Sequence, residues 1–415
     1  MKTLSCVALT RKHGCQNEPL LLPFATMQDK LKWFLLIALL IPCWVIGIKY
    51  DIDLVVLHAT AQFVNGDFTR VYAQNGNLGR YFYGPFSLIL IKPLGYLPYV
   101  VVKYFWLCLQ TICYFVFWKF LSELYPFLKE KNHFWGWILI WIVAINPIHN
   151  NYQSNNIQLM LATILIIAES LARSSSQKKQ FSAGILVTIS AGIKIFPLFL
   201  VAYYFLVRNN HIRKGIVVGS LLILASPFLF LGPDKASFLY NGFFHNLTTY
   251  SAENSLTATN DILCIPSLLA RFGFPNWANH MFVLITSGLF FIWIWISKPT
   301  TPNSRKELHT LAMAWALSVL LNPSTRPHYF IFYVPAFCSI YEILLKRTQS
   351  IYLNTVFAIA TLLIAFTTEG VVGKHLNELL EAKSVPTYGM IILCGLLFLL
   401  ILKAEDKQHA GKIGG

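Results

Sequence analysis

Residues 33–49 read WFLLIALLIPCWVIGIK, an apolar run whose only charged residue is Lys49 at its end. At about 1.5 Å per residue, such a run crosses most of a bilayer core that is roughly 30 Å thick. Similar runs recur as far as residue 403, and the whole chain of 415 residues is 56% hydrophobic and 12% charged, with a mean hydropathy of +0.56. A soluble fold could not bury so much apolar surface. The sequence therefore predicts an all-α polytopic membrane protein.

The apolar runs predict where the chain crosses the membrane. The clear spans are residues 33–49, 101–121, 134–147, 157–173, 215–231, 278–297, 310–321, 329–345, 351–367 and 387–403. Two further apolar segments, residues 86–98 and 181–207, lie between them. Together they predict a bundle of about 10–12 transmembrane helices. One membrane-embedded domain, residues 33–403, follows an N-terminal segment 1–32 and precedes a tail 404–415. Met27 could serve as a second start, which would make residues 1–26 dispensable.

Charge predicts the orientation of the bundle. The chain has 33 Lys and Arg against 18 Asp and Glu, a net charge of +15. These basic residues lie in short gaps between apolar runs, which indicates topology and not a nucleic-acid partner. The positive-inside rule places the basic gaps in the cytoplasm: residues 1–32, 119–133, 173–180, 208–214, 298–309, 346–350 and the tail. We therefore expect a multi-pass protein of the cell membrane with both termini cytoplasmic.

The two remaining segments are predicted not to cross the membrane. Residues 86–98 are short, carry Lys92 and end at Pro98, so we expect an interfacial or re-entrant helix. Residues 181–207 lie between two basic stretches and must enter and leave on one side. We expect two half-helices that meet near Lys194 and Pro197, because broken helices are tolerated where they line a polar cavity. The polar stretches then gather outside the cytoplasm: residues 50–85, 148–156, 232–277, 322–328 and 368–386.

Asp51 and Asp53 follow the first predicted span and are the candidate catalytic residues. A carboxylate at a membrane edge can act as a general base when partial burial raises its pKa and a substrate hydroxyl comes within reach. The alternative is that both acids only end a helix or face water. Asp-Ile-Asp also has the form of a metal-chelating pair, but the cysteines form no CxxC pair, and we predict no metal and no cofactor. Signatures of phosphate-binding loops, zinc proteases, hydrolases and dinucleotide folds are absent.

Cationic and amide side chains complete the candidate site. Lys194 lies within an apolar segment, where a charge costs roughly 2.5–3.5 kcal/mol and usually marks function, although it could also snorkel to the interface. With Arg326 and His328 it could bind a lipid phosphate; the alternative for Arg326 is a simple headgroup contact. Amides and aromatic rings suit a sugar, or equally a solvated turn and an interfacial belt. The candidate residues of this kind are Tyr83, Gln153, Asn155 and Asn156.

The order of these motifs resembles that of the family 87 glycosyltransferases, members of the C-type superfamily that includes polyprenol-phosphate-mannose-dependent mannosyltransferases. The motifs are Asp53 with the run to Gly66, Tyr83-Gly84-Pro85, Lys92 to Pro98, Gln153 to Asn156, Lys194-Ile-Phe-Pro197, and Asn322 to His328. The resemblance runs from about residue 33 to residue 345. This chain departs from the family where Tyr83-Gly84-Pro85 replaces Tyr-Pro-Pro, and where Tyr152-Gln153-Ser154-Asn155 replaces Gly-Gln-x-Asn.

The resemblance implies a C-type bundle whose extracytoplasmic loops form the active site. It implies a polyprenyl-phosphate-linked sugar donor, a lipid or glycan acceptor, and transfer of a hexose, mannose in particular, with inversion. Asp53 matches the family's catalytic acid best and Asp51 is the alternate, while Lys194 and Pro197 match its Lys-x-x-Pro block. A transporter of a lipid-linked or small polar substrate is the main alternative, since half-helices also suit a carrier. A non-catalytic membrane subunit would tolerate the loss of both Asp51 and Asp53.

Overall fold

A computed structural model describes residues 27–73, 81, 83–256, 262–296, 303–346, 350–367 and 372–413, and the predicted segment 1–26 lies outside them. Within these ranges the chain is helical and contains no β-strand. The α-helices are α1 (Met27–Lys49), α2 (Ile52–Asn65), α3 (Pro85–Ile91), α4 (Tyr99–Leu124), α5 (Phe134–Ser154), α6 (Gln158–Ala172), α7 (Gln177–Ile193), α8 (Leu198–Val207), α9 (Asn210–Leu231), α10 (Pro233–Leu256), α11 (Ile265–Arg271), α12 (Asn276–Ile296), α13 (Arg305–Leu320), α14 (Val334–Leu345), α15 (Ile351–Ala365), α16 (Lys374–Ala382) and α17 (Val385–Ile413).

The hydropathy of these helices confirms the predicted fold class. Six described segments are long and apolar enough to cross a membrane: Met27–Lys49, Tyr99–Leu124, Asn210–Leu231, Trp277–Ile296, Pro327–Leu345 and Val385–Lys403. The remaining predicted spans are also helical, as α5, α6, α13 and α15. The protein is an all-α polytopic membrane protein.

Two predicted irregularities are present in the structure. Residues 85–96 form the short helix α3 and a 3-10 helix, Lys92–Tyr96, instead of a span. The segment 181–207 is broken, because α7 ends at Ile193 and α8 begins at Leu198. Asn209, just after α8, donates a hydrogen bond to Gln180 near the start of α7 over 3.0 Å. The start of α7 and the end of α8 therefore lie side by side, as a re-entrant pair requires.

Residues 148–156 differ from the prediction. We expected a loop after residue 147, but α5 continues through Pro147 to Ser154. Two of its polar residues bond across the helix interface: Asn151 donates to Gln110 of α4 over 2.7 Å, and the hydroxyl groups of Tyr152 and Thr111 lie 3.0 Å apart. Because these side chains bond to a neighbouring helix, the backbone stays helical where polarity alone suggested a loop.

The helices that carry the site pack closely through glycine. A Cβ atom at Gly184 of α7 would collide with the backbone of Ile212, and one at Gly215 of α9 would collide with Phe181. Gly219, one turn further on, faces Thr188. Small residues at four-residue spacing allow such close helix contact. The contact holds the middle of α7 against α9, and Lys194 follows directly after the last residue of α7.

The bundle has two polar ends. We call the end where α1 meets α2 the site end, and the end where α6 finishes the distal end. At the distal end Arg208 lies between Glu169 and Glu307, at 2.5 Å from each carboxylate, and all three side chains are buried. Arg173 adds a second cationic contact to Glu169 at 2.6 Å. The cluster joins α6, α8 and α13, and Glu169 lies about 17 Å along α6 from its first residue, Gln158.

Candidate active site

Asp51 and Asp53 lie at the junction of α1 and α2 but have different partners. The Asp51 carboxylate accepts hydrogen bonds from Lys103 over 2.7 Å and from Tyr99 over 2.6 Å. Partial burial would raise the pKa of Asp51, but the bonds from Lys103 and Tyr99 outweigh it and lower that pKa. Asp51 is therefore an ionised partner of α4, and both bonds are made to the same one of its two carboxylate oxygens.

Asp53 lies in the first turn of α2 and is partly buried. Its carboxylate accepts a hydrogen bond from the Asn156 amide over 2.6 Å. Burial raises the pKa of Asp53, against the opposing effects of that hydrogen bond and of the charges on Lys194 and Arg326. A partly buried carboxylate with a raised pKa, oriented by one amide and facing two cations, has the properties of a general base.

Asn155 and Asn156 are adjacent, but their side chains form hydrogen bonds with different parts of the chain. Asn155 has a left-handed backbone conformation, with φ of 49°, at the end of α5. Its buried amide donates to the carbonyl oxygens of Gly47 and Tyr50, each over 2.8 Å, and its side-chain oxygen accepts from Gln110 over 3.1 Å. The geometry makes Asn155 a clamp on the end of α1, and its side-chain donors are already used.

Asn156 turns toward the candidate base. Its side-chain oxygen accepts a hydrogen bond from the backbone of Ile157 over 2.7 Å, while its nitrogen donates to Asp53. The first bond fixes which way the amide faces. Asn156 is thus oriented so that an N–H group, and not an oxygen, meets the Asp53 carboxylate.

Lys194 lies in the break between α7 and α8, next to two aromatic rings. Its ammonium group is 5.0 Å from the ring centre of Tyr83 and 4.7 Å from that of Tyr329. Tyr83 lies close to Lys194 because the next residue, Gly84, packs against the end of α7. The backbone N–H of Gly84 donates a hydrogen bond to the Ile193 carbonyl oxygen over 3.2 Å, and a Cβ atom at Gly84 would lie 2.6 Å from the Gly192 oxygen. In the described part of the chain Lys194 forms no ion pair. Its charge is held by ring faces and is open to an anionic ligand.

Arg326 and His328 lie in the segment between α13 and α14. The segment is fixed by the buried Thr325, whose hydroxyl donates to Val319 over 2.6 Å and whose carbonyl accepts from Leu263 over 2.8 Å. Arg326 is exposed, whereas His328 is buried with its ring 5.0 Å from that of Tyr329. His328 therefore contacts Tyr329, one of the two rings beside Lys194. Arg326 supplies the second charge that acts on Asp53.

Gln153 lines a different part of the site, which we call the polar cavity. This cavity has a volume of about 400 Å³ and lies beside the Asp53 region, since Tyr50 and Pro327 form part of its wall. One face of α5 contributes Asn146, His149, Asn150 and Gln153, and α16 contributes Asn377 and Glu381. No Lys or Arg is among the described residues that line it.

Sequence reasoning did not single out several of these residues as site residues. Tyr329 follows His328 directly, and Lys103 lies in the predicted span 101–121, where an ionisable side chain was a usable signal. Asn377 and Glu381 are far from the other residues in sequence, and only their i, i+4 spacing on an amphipathic helix relates them. Among the described residues no group of three or more His, Cys, Asp and Glu side chains could hold a metal ion.

Comparison with known proteins relates the chain to one family. A model of glycosyltransferase family 87 matches residues 81–323, more than half of the 415 residues. Over 162 residues the chain is 24% identical to a protein of Mycobacterium tuberculosis (strain CDC 1551 / Oshkosh) named polyprenol-phosphate-mannose-dependent alpha-(1-2)-phosphatidylinositol pentamannoside mannosyltransferase. That alignment covers 38% of this chain and about a third of the relative, 35% of its length. No solved structure matches. The family match confirms the predicted family, and the chain belongs to glycosyltransferase family 87.

Proposed function

We propose that this membrane glycosyltransferase transfers a hexose, most simply mannose, from a polyprenyl-phosphate-linked donor to a hydroxyl group of a lipid or glycan acceptor. The relative's name is the support for that class of donor. The observation that carries the proposal is the placement of Asp53, which is bonded to Asn156 and lies in the field of Lys194 and Arg326. We place the reaction on the extracytoplasmic side of the cell membrane, with both termini in the cytoplasm.

The proposed reaction is a single displacement. The acceptor oxygen attacks the anomeric carbon while its proton passes to the Asp53 carboxylate. The bond between the anomeric carbon and the phosphate oxygen breaks, and its electron pair leaves with the polyprenyl phosphate. Lys194 and Arg326 stabilise the negative charge that develops on this leaving group. Attack opposite to the leaving group inverts the anomeric centre.

Segregation of charge separates the proposed donor and acceptor positions. Lys194 and Arg326 are the cations that suit a phosphate, and the charges of both act on Asp53. The polar cavity contains amides, an imidazole and the carboxylate of Glu381 instead, and among its described lining residues there is no cation. A neutral, hydroxyl-rich group fits such a lining better than a phosphate does. We therefore assign the acceptor to the polar cavity, with Gln153 as a ligand, and assign Tyr83 to the donor side.

Transfer of radiolabelled hexose from polyprenyl-phosphate donors to membrane lipid extract tests this function. Purified wild-type protein should form a labelled product, and Asp53→Asn protein of equal monodispersity should not. Several donors should be compared, because sugar identity is part of the proposal. Movement of the donor across liposomes without any sugar transfer would instead support a carrier and overturn the proposal.

A further inference from the structure

A second cavity lies near the site end, and its chemistry differs from that of the polar cavity. We call it the apolar cavity. It has a volume of about 390 Å³, and the residues that line it are Pro266, Asn279, His280, Val283, Leu284, Ser287, Leu321 and Pro323. Its volume falls within the range of roughly 300–1,000 Å³ that is typical of small-molecule sites. The proposed transfer reaction does not use it.

Asn279 is the unusual group in this lining. The side chain is only 2% exposed, yet neither its amide nitrogen nor its amide oxygen has a hydrogen-bond partner among the residues that the structure describes. Buried amides in proteins are almost always hydrogen-bonded. An unpaired amide in an apolar cavity therefore indicates that a ligand supplies the partner.

The position of the cavity indicates where that ligand comes from. It is bounded by α12, whose apolar side chains largely face outward: Leu284 is 66% exposed and Leu289 62%. In a membrane-spanning helix such a face contacts lipid chains. Asn279 lies in the first turns of α12, at the site end, so its depth corresponds to the outer part of one leaflet. The ligand is thus an amphiphile that enters from the bilayer.

We propose that the apolar cavity binds an ester-linked membrane lipid. One acyl chain lies along Val283, Leu284 and Leu321, and the ester carbonyl oxygen accepts a hydrogen bond from the Asn279 amide. An isoprenoid chain fits less well, because it has no hydrogen-bonding group below its phosphate and would leave the Asn279 nitrogen unpaired, whereas the ester carbonyl oxygen pairs it. A phosphate at Asn279 itself would find no Lys or Arg among the described lining residues.

The bound lipid supports the segment that carries Arg326. Leu321 and Pro323 form one wall of the cavity, and Arg326 follows three residues after Pro323. An acyl chain against this wall limits the room in which the segment can move. The proposal does not require that the chain transfers sugar, since it rests on the cavity and on Asn279 alone.

Lipid binding to the purified full-length protein tests the proposal. Native mass spectrometry counts lipids retained after addition of dioleoyl phosphatidylcholine or of its diether analogue, which lacks the carbonyl oxygens. Wild-type protein should retain one diester lipid about tenfold more tightly than the diether analogue. Asn279→Leu should lose that preference. Asn354→Leu, a change of the same kind at an exposed position of α15, should keep it.

A second variant keeps the test decisive if Asn279→Leu does not fold. Ser287→Phe places a ring in the cavity and should remove the retained diester lipid altogether. Equal retention of diester and diether lipids by wild-type protein would overturn the proposal. So would replacement of the diester lipid by polyprenyl phosphate at equal concentration, because the cavity would then serve the donor. A transfer assay run in parallel tests the proposed function separately, since lipid retention does not depend on turnover.

Discussion

At the scale of single residues, neighbours in sequence have separate roles. Asp51 is bonded to Lys103 and Tyr99, whereas Asp53 is bonded to Asn156. Asn155 holds the end of α1, and its neighbour holds the candidate base. Their side chains point in different directions, because residues that are one or two positions apart near a helix end face different neighbouring helices.

Asp53→Asn should abolish transfer. Asparagine keeps the shape of the side chain but cannot take a proton, and general bases typically contribute about 10²–10⁴-fold to the rate. Steady-state transfer assays should show a loss of that size, with unchanged protein yield. Asp51→Asn is the matched variant, and we expect it to reduce stability more than turnover. Near wild-type turnover of Asp53→Asn would end the assignment.

Asn156→Ala should change the pH dependence of kcat/KM. The base must be ionised, so activity rises with pH as Asp53 loses its proton. Burial already raises the pKa of Asp53, and the Asn156 hydrogen bond counteracts that rise. Without this bond the pKa should rise further, and the acid limb of the profile should move to higher pH. An unmoved acid limb, compared with that of Asn354→Ala, would show that Asn156 does not act through Asp53.

Lys194→Gln should weaken donor binding. The ammonium group lies against the rings of Tyr83 and Tyr329, and loss of a charged hydrogen bond to a phosphate costs about 1.5–3 kcal/mol, or roughly 10–100-fold in affinity. The measurement is the KM for a polyprenyl-phosphate sugar. Lys235→Gln is the control, because Lys235 also lies over a ring, that of Phe68 at 5.1 Å. Equal KM values in the two variants would return Lys194 to a snorkelling role.

At the scale of secondary-structure elements, the break between α7 and α8 and the close contact of α7 with α9 place Lys194. The sequence predicts the break from Lys194 and Pro197 between two basic stretches. The contact depends on Gly184 and Gly215, whose missing side chains let the backbones meet. An element that ends inside the bundle needs such a neighbour to hold its free end.

Gly215→Val should destabilise the bundle. The added side chain would collide with the backbone of Phe181, and forced overpacking typically costs about 1–3 kcal/mol. Thermal unfolding in detergent should show a lower Tm. Gly288→Val on α12 is the control, because a Cβ atom there has no neighbour within 4 Å. A Tm loss that is no larger than in this control would mean that the α7–α9 contact is not tightly packed.

At the scale of the whole molecule, polar groups concentrate at two ends of an apolar bundle. The site end carries the candidate reaction groups, and the distal end carries the buried cluster of Arg208 with Glu169 and Glu307. The two ends differ in what they contain: at the distal end Arg208 makes direct ion pairs with Glu169 and Glu307, whereas Lys194 at the site end lies against two aromatic rings and makes no ion pair among the described residues. This asymmetry supports the proposal that the distal end is structural and the site end is catalytic.

Arg208→Met should unfold or strongly destabilise the protein. It would leave two buried carboxylates without their common cation, and breaking a buried ion pair typically costs about 3–5 kcal/mol. Thermal unfolding and the yield of monodisperse protein measure the effect. Lys179→Met, at an exposed position near the same end, should behave as wild type. Comparable stability of the two variants would contradict a structural role for the cluster.

The sequence by itself determined the helical membrane class, the broken segment around Lys194 and the family, because apolar run length, charge and local motifs are properties of neighbouring residues. It also named Asp53, Lys194, Arg326 and Asn156, which the tertiary structure brings to one place. Only the tertiary structure decided that α5 continues through residues 148–154, that Asn155 clamps α1, and that α16 closes the polar cavity. These features depend on hydrogen bonds and packing between residues up to more than 200 positions apart, and no local pattern specifies such partners.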